Sequence, residues 1–208
     1  RMPCGGGTQA GPFHSQTNEA WFTKTPGLKV VYPAFPIDAK GLLNTAINDP
    51  NPVLFFEHKQ LYRSVYQDVP KEYYTTPFGK ASLLKEGTQV TIISYGAAVH
   101  WALETLEKNP NCSADLIDLR TLQPLDLETI FVSVKKTNKV IILQEDTLFG
   151  SLASDLAATI SDNCFQYLDA PVKRVASIET PIPFMKNLED QYLPKNRFEM
   201  ELLDLLNY

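Results

Sequence analysis

The sequence predicts an α/β protein: a mostly parallel sheet covered by helices on both faces, preceded by the truncated remainder of another α/β unit. Three observations carry that reading. Short β-branched runs such as QVTIIS at residues 89–94 and VIIL at 140–143 recur along the chain. Helical segments with one apolar face separate them, the spacing of right-handed βαβ crossovers. A polar, aromatic stretch with no period, residues 62–77, reads as a linker between a first unit of residues 1–61 and a second of residues 78–208.

In order along the chain, LKVVY at 28–32 is a strand and residues 38–47 carry helical spacing. VLFFE at 53–57 is nearly all apolar, the composition of a strand buried on both faces of a parallel sheet. The linker is too rich in tyrosine for a floppy tether, so it is expected to pack along a surface. Beyond it, 89–94 is a strand, Gly96 turns the chain into a helix over 97–108, and ADLIDL at 114–119 is the next strand. In the helix over 127–135, Leu127, Ile130, Phe131 and Val134 recur at helical spacing and share a face. Strand 140–143 leads into a helix over 152–164 with Leu152, Leu156 and Ile160 in line. Strand 172–176 and an amphipathic helix over 199–206 complete the series.

Composition narrows the function. Of 208 residues, 44% are hydrophobic and 21% charged, an ordinary globular balance with material for a real core. The net charge is −5, from 19 basic and 24 acidic residues, with no basic stripe and no aromatic-interleaved Lys/Arg cluster. Nucleic acid and anionic membranes are therefore not expected as partners. No apolar stretch approaches the roughly 20 residues that span a bilayer. Cys4, Cys112 and Cys164 show no CxxC spacing, which argues against a disulfide scaffold or zinc knuckle and for a reducing compartment. The opening RMPCGGGTQAGPF has no signal-peptide pattern and reads as the interior of a protein, so an amino-terminal part is expected upstream.

Residues 4–16, CGGGTQAGPFHSQ, place Gly5, Gly6, Gly7 and Gly11 just ahead of His14. Glycines let a backbone approach another group closely, and an imidazole exchanges protons near neutral pH, so His14 is a candidate general acid–base. An incidental histidine on a surface loop fits the same residues. No Gly-Lys-Ser/Thr ends the run, and its Phe- and Pro-containing continuation does not fit a dinucleotide fingerprint. A serine hydrolase would need a G-x-S-x-G elbow, which is absent, and no third group orients a Cys4–His14 pair.

Between a helix end and a strand, Ala46, Asp49 and Asn51 offer a helix-terminal carbonyl, a carboxylate and an amide oxygen, hard ligands for a cation of low charge. The same Asp, Asn and Pro residues make a helix stop. Glu57-His58-Lys59 ends the VLFFE strand, where α/β sheets bind ligands, and an ion network of Glu57, Lys59 and Arg63 is the preferred reading there. His100 and Trp101 read as packing residues. Glu145 and Asp146 are adjacent on a strand and face opposite ways, which argues against joint catalysis.

The string FHSQTNEAWFTKTPGLKVVYPAFPIDAKGLLNTAINDPNPVLFFEHKQLYR resembles the beta chain of the decarboxylating component of 2-oxoacid dehydrogenase complexes. LIDLRTLQPLD, SVKKTNKVIILQED, CFQYLDAPVKRVASIETPIPF and LPKNRF carry the same resemblance, which runs from Arg1 to Tyr208 and is nearest the branched-chain and pyruvate subgroups. It implies a transketolase-like fold: the carboxy-terminal part of a pyrimidine-binding domain over 1–61, and a transketolase carboxy-terminal-type domain over 78–208. It implies oxidative decarboxylation of a 2-oxoacid by thiamine diphosphate, with acyl transfer to a lipoyl group. The expected partners are an alpha chain or fused alpha region, a second beta chain in a heterotetramer, and a dihydrolipoyl acyltransferase core.

Residue by residue, the resemblance puts the family's HSQ histidine at His14, near the cofactor. It puts part of a structural potassium site at the carbonyl of Ala46 with Asp49 and Asn51. Ala46 stands where relatives often carry a small polar residue or Cys, a difference a carbonyl ligand tolerates. Magnesium and the diphosphate are expected on the alpha chain, and the glutamate that activates the cofactor upstream of Arg1, so no residue here is expected to bind the cofactor itself. Residues 78–208 are expected to serve subunit association and docking of the acyltransferase. The chain alone is expected to be inactive, and an assembly module without catalysis of its own is the alternative. A bacterial cytoplasm is expected over a mitochondrial matrix.

Overall fold

Two sheets carry the fold, and they share a strand supply in a way local sequence does not show. The computed structural model describes residues 1–208. The strands are β1 (Met2–Cys4), β2 (Lys29–Val31), β3 (Val53–His58), β4 (Ser82–Lys85), β5 (Val90–Ser94), β6 (Ala114–Asp118), β7 (Thr121–Gln123), β8 (Val140–Thr147) and β9 (Lys173–Ser177). The helices are α1 (Gly11–His14), α2 (Glu19–Thr23), α3 (Pro36–Asn48), α4 (Leu61–Ser64), α5 (Ala97–Lys108), α6 (Leu127–Thr137), α7 (Leu152–Cys164), α8 (Lys186–Tyr192) and α9 (Lys195–Leu206). No helix is long and apolar enough to cross a membrane.

The first sheet has the order β1-β3-β2-β7 and the second β4-β6-β5-β8-β9. Pairing is parallel except for β7 on β2 and β4 on β6. The expected α/β architecture with mostly parallel sheets therefore holds. β5, between parallel neighbours β6 and β8, and β6, between β5 and the antiparallel β4, are buried along their whole length, which is why their sequences read as largely apolar runs.

Alternation along β5 divides the core. Val90 and Ile92 pack with Trp101 of α5 and with Phe198, Leu202 and Leu205 of α9. Ile93 faces the other way, toward Ile130 and Val134 of α6 and Leu156 and Ile160 of α7. This second cluster also takes in Val30, Tyr32 and Phe56 of the first sheet, so one apolar core runs across both sheets. Phe198 is fully buried, and truncating it to Ala would cost about 3–5 kcal/mol.

Helix α6 shows how sequence sets an element's ends. Asp126 caps it, accepting the Thr129 amide at 3.2 Å and its hydroxyl at 2.8 Å. Lys135 and Lys136 lie in the last turn, where they complement the helix dipole, and Asn138 stops it in the left-handed conformation at φ 62°.

The linker lies along a surface as expected, but mainly through its backbone, since Tyr62, Tyr66 and Tyr73 are exposed. Beyond α4 it has no regular element until β4, yet its backbone lies along α3. Thr76 N–H donates to Gly41 O at 3.1 Å, Asn44 Nδ2 donates to Tyr74 O at 2.8 Å, and Thr45 Oγ1 donates to Thr76 O at 2.6 Å. A Cβ at Gly41 would stand 2.2 Å from Thr76 Oγ1, so glycine is required at that contact.

Several elements differ from the sequence reading. β4 is a short antiparallel edge with half its residues exposed, too polar to announce itself. β7 is three residues that leave the second sequence stretch to close the edge of β2. β8 continues four residues beyond Leu143 because its polar end is buried and satisfied: Gln144, for one, accepts Ala153 N–H at 2.9 Å. α9 begins at Lys195, directly after Pro194, rather than at 199, and α8 precedes it.

Candidate functional site

The site is built on the turn where β1 hands over to the glycine loop. Cys4 pairs with His58 in register, and Lys59 N–H donates to Cys4 O at 2.9 Å. Gly5 follows at φ 93°, pressed so near the His58 ring that a Cβ would stand 2.2 Å from its Cδ2. The Gly6 amide donates to Glu145 Oε1 at 2.7 Å, and the Gln9 amide lies 3.2 Å from both oxygens of Glu189. A loop whose amides already hold carboxylates is not a phosphate cradle.

The three residues after Phe13 have three separate jobs. His14 ends α1, is exposed, and makes no side-chain hydrogen bond within the chain. Ser15 is buried and braces the loop, accepting Ala10 N–H at 3.3 Å and sharing a 3.0 Å bond with Thr8 Oγ1. Gln16 bridges outward, donating to Tyr192 OH at 3.4 Å and accepting Ile182 N–H at 3.2 Å. Next to His14 in the chain, Phe13 is 81% exposed, its ring 6.3 Å from that of Phe184, which is exposed as well.

Behind the loop lies a buried polar layer joining the two sheets. His58 Nε2 is 2.6 Å from Glu145 Oε2, and both side chains are almost wholly buried. Cys4 Sγ is 3.1 Å from Tyr32 OH, and burial pushes the thiol well above its ordinary pKa, so Cys4 is no thiolate nucleophile. Tyr95 OH donates to Glu19 Oε1 at 2.7 Å. Complete burial, reinforced by the charge of Asp146, pushes Glu19 up to about 8. Burial also raises Asp146, to about 6, with the Thr147 amide opposing and Glu145 and Glu179 reinforcing.

At the Ala46–Asn51 corner the carboxylate is already engaged. Lys29 Nζ bonds Asp49 Oδ2, and Asn51 gives Asp49 Oδ1 its amide N–H at 2.9 Å and its Nδ2 at 3.0 Å. The Lys29 contact and these two bonds hold Asp49 down at about 2. Ala46 O receives only the Asp49 amide, at 3.4 Å.

The strand-end network also has other members than expected. Glu57 binds Arg1 through a bidentate pair at 2.8 and 2.9 Å and accepts Tyr62 OH at 2.6 Å; Lys59 and Arg63 make no ion pair with it. Lys59 follows the strand on a half-exposed turn and Arg63 stands exposed on α4, while Arg1, beside β1, binds Glu57 instead. His100 does serve packing: its ring meets Phe35 at 4.9 Å, and its Nε2 bonds Ala34 O at 2.8 Å.

Sequence reasoning missed the pairing of Glu145 with Gly6 and His58, and that of Glu19 with Tyr95. The strand-end rule pointed to His58's position, but nothing local names a partner 87 residues away. Glu145 and Asp146 do diverge, one to the loop and His58, the other to the Thr147 amide at 2.8 Å and the charge of Glu19.

Known proteins resemble this chain along most of its length. It is 46% identical over 196 residues to the 2-oxoisovalerate dehydrogenase subunit beta of Bacillus subtilis (strain 168), covering 93% of this chain and 60% of that one. It is 45% identical over 204 residues to the pyruvate dehydrogenase E1 component subunit beta of the same organism, covering 97% and 62%. The acetoin:2,6-dichlorophenolindophenol oxidoreductase subunit beta of that organism is 46% identical over 196 residues, covering 93% and 57%. The chain thus spans about three-fifths of these relatives' length. A solved structure titled as a split gene transketolase, inactive beta4 tetramer, shares the fold with a TM-score of 0.76 and 24% identity over 94% of this chain and 63% of that one. Residues 1–65 match the family described as the transketolase pyrimidine binding domain, and residues 79–197 the one described as the transketolase C-terminal domain. Among its relatives are the beta subunits of a 2-oxoisovalerate and a pyruvate dehydrogenase, and the chain belongs to the transketolase C-terminal domain family.

Proposed function

We propose that this chain is the beta-subunit portion of a thiamine-diphosphate-dependent 2-oxoacid dehydrogenase. In this reading it acts with an alpha chain, a second beta chain and a lipoyl-bearing acyltransferase core. The observation that carries the reading is the state of His14: an exposed imidazole without hydrogen bonds, at the end of a loop whose backbone is fixed by Glu145, Glu189 and Ser15. A side chain serving only the loop would be tied into it, as Ser15 and Gln16 are. The relatives' names supply the substrate class, 2-oxoisovalerate or pyruvate. The bacterial relatives favour a cytoplasmic setting over a mitochondrial matrix.

We place His14 at one edge of the cofactor and no residue of this chain at its charged end. Carboxylates occupy the Gly6 and Gln9 amides and would repel a diphosphate, so we assign the diphosphate and magnesium to the alpha chain and to beta-chain sequence outside these residues. When bound, thiamine diphosphate supplies the nucleophilic carbon and electron sink for loss of carbon dioxide from the 2-oxoacid. His14 holds or moves a proton during acyl transfer to the lipoyl sulfur. The exposed ring of Phe13, with Phe184 beside it, gives an apolar rim for the neighbouring chain.

Potassium at the Ala46 corner is the weaker fit. Asp49's carboxylate is neutralised by Lys29, which leaves the Ala46 carbonyl and the Asn51 amide oxygen as this chain's ligands, with further oxygens needed from elsewhere.

The test is the complete alpha–beta assembly, assayed with pyruvate and with 3-methyl-2-oxobutanoate. His14→Ala is expected to lower acyl transfer to a lipoyl domain by about a hundredfold. Its thermal midpoint should not move, because an exposed, unbonded side chain holds nothing together. An unchanged lipoyl rate removes His14 from the mechanism and leaves assembly as the role of this chain.

A further inference from the structure

We infer that Glu145, on β8 of the second sheet, is a positioning residue for His14, acting through the glycine loop and backed by His58. The inference rests on the acid–base reading of His14 above. Glu145 is 4% exposed, and each of its oxygens has one partner at the loop's base: Gly6 N–H on Oε1 at 2.7 Å and His58 Nε2 on Oε2 at 2.6 Å.

The loop has no slack at this point. His58 blocks any Cβ at Gly5, and a Cβ at Gly6 would come within 3.0 Å of Ile182 and 3.1 Å of Leu193. Ahead of it, Cys4 is locked in register with His58 by the strand pairing and by the Lys59 amide. The direction in which the chain leaves β1 toward His14 is therefore set by one carboxylate from the other sheet. Farther along, the Gln9 amide is held less closely, at 3.2 Å from Glu189.

The chemistry of the contact separates positioning from filling. A buried carboxylate bound to an amide and an imidazole forms charge-assisted, directional bonds, whereas apolar side chains of equal volume would fill the space and hold no amide. His58 Nδ1 is buried and meets no hydrogen-bond partner in the chain.

The assembled enzyme made from full-length chains tests this with Glu145→Ala, Glu145→Gln, His14→Ala and the Glu145→Ala/His14→Ala double variant. Acylation of a lipoyl domain is read beside decarboxylation with an artificial electron acceptor. Glu145→Ala is expected to slow lipoyl acylation by about tenfold or more, and the artificial-acceptor reaction by much less. Glu145→Gln offers Gly6 an oxygen and His58 Nε2 an N–H, which the ring accepts with its own hydrogen on Nδ1, so it should recover most of that loss. In the His14→Ala background, Glu145→Ala should add less than about twofold, since a positioning residue has nothing left to position.

Multiplicative losses in the double variant overturn the inference, as does a lipoyl rate for Glu145→Ala equal to the parent's. A parental rate for His14→Ala itself sinks the acid–base reading and the inference with it. Loss in His14→Ala without loss in Glu145→Ala sinks the inference alone. Should Glu145→Ala fail to assemble, Glu145→Asp, which keeps the charge and shortens the reach, takes its place in the same comparison.

Discussion

Tyr95, one residue past β5, donates its hydroxyl to the fully buried carboxyl of Glu19 across 2.7 Å, while Glu19's second oxygen meets no partner. Two units of sequence thus meet through an acid with no cation beside it, and burial, with Asp146 behind, pushes Glu19 up to about 8.

This makes stability fall with rising pH. The folded chain keeps Glu19's proton after the unfolded chain, near 4.5, has released it, so the contribution is full below 4.5 and is lost as pH climbs through about 8. One such proton corresponds to about 1.4 kcal/mol per pH unit. For a chain of this size that is about 3–5 °C of thermal midpoint per unit. Glu19→Gln should flatten the midpoint's decline between about pH 5 and pH 8, leaving a residual slope from Asp118, which burial also raises to about 8. Identical slopes for parent and variant would show that Glu19 is already ionised in the folded chain.

Gly5→Ala and Gly27→Ala separate backbone strain from collision. Both residues have positive φ, 93° and 87°, but only at Gly5 does a Cβ meet anything, the His58 ring, while nothing lies within 4 Å at Gly27. Gly27→Ala should cost about 1 kcal/mol in denaturant unfolding, from conformation alone. Gly5→Ala should cost about 2–4 kcal/mol, because the imidazole and its bond to Glu145 must move. Equal costs would mean that His58 yields freely.

The 208-residue chain by itself should neither bind thiamine diphosphate tightly nor decarboxylate a 2-oxoacid. In its one glycine-rich loop the Gly6 and Gln9 amides are already given to Glu145 and Glu189. Calorimetry with thiamine diphosphate and magnesium checks the first half, and carbon dioxide release from pyruvate the second. Turnover by the lone chain would overthrow the division of labour proposed above.

For the cation corner, thermal midpoints of the complete assembly in potassium and sodium chloride at equal ionic strength give the readout. A higher midpoint in potassium, lost on Asn51→Ala, is expected if Ala46 and Asn51 supply ligands. Equal midpoints leave the corner as the helix stop that Asp49, Asn51 and Lys29 already form.

Periodicity revealed the elements whose stability is local. The helices at Ala97–Lys108, after Gly96, and Leu152–Cys164 have the bounds expected from Gly96 and their apolar faces. β7 was hidden because its three residues are a strand only through β2, some ninety positions earlier in the chain. Within the site, the glycines ahead of His14 marked a close backbone approach, while the identity of the approaching group did not. Glu145 reads as one more acid on a strand until the fold delivers it to Gly6.

β7 has a consequence for how the molecule comes apart. Thr121–Gln123 closes the open edge of β2, so the stretch after the linker finishes a sheet begun before it. A protease that nicks the exposed linker should therefore leave two pieces that migrate together under native conditions. A gene divided at the same place would encode a first fragment with a bare strand edge, ready to recruit any extended peptide, itself included. Such halves would need to be made together to stay soluble.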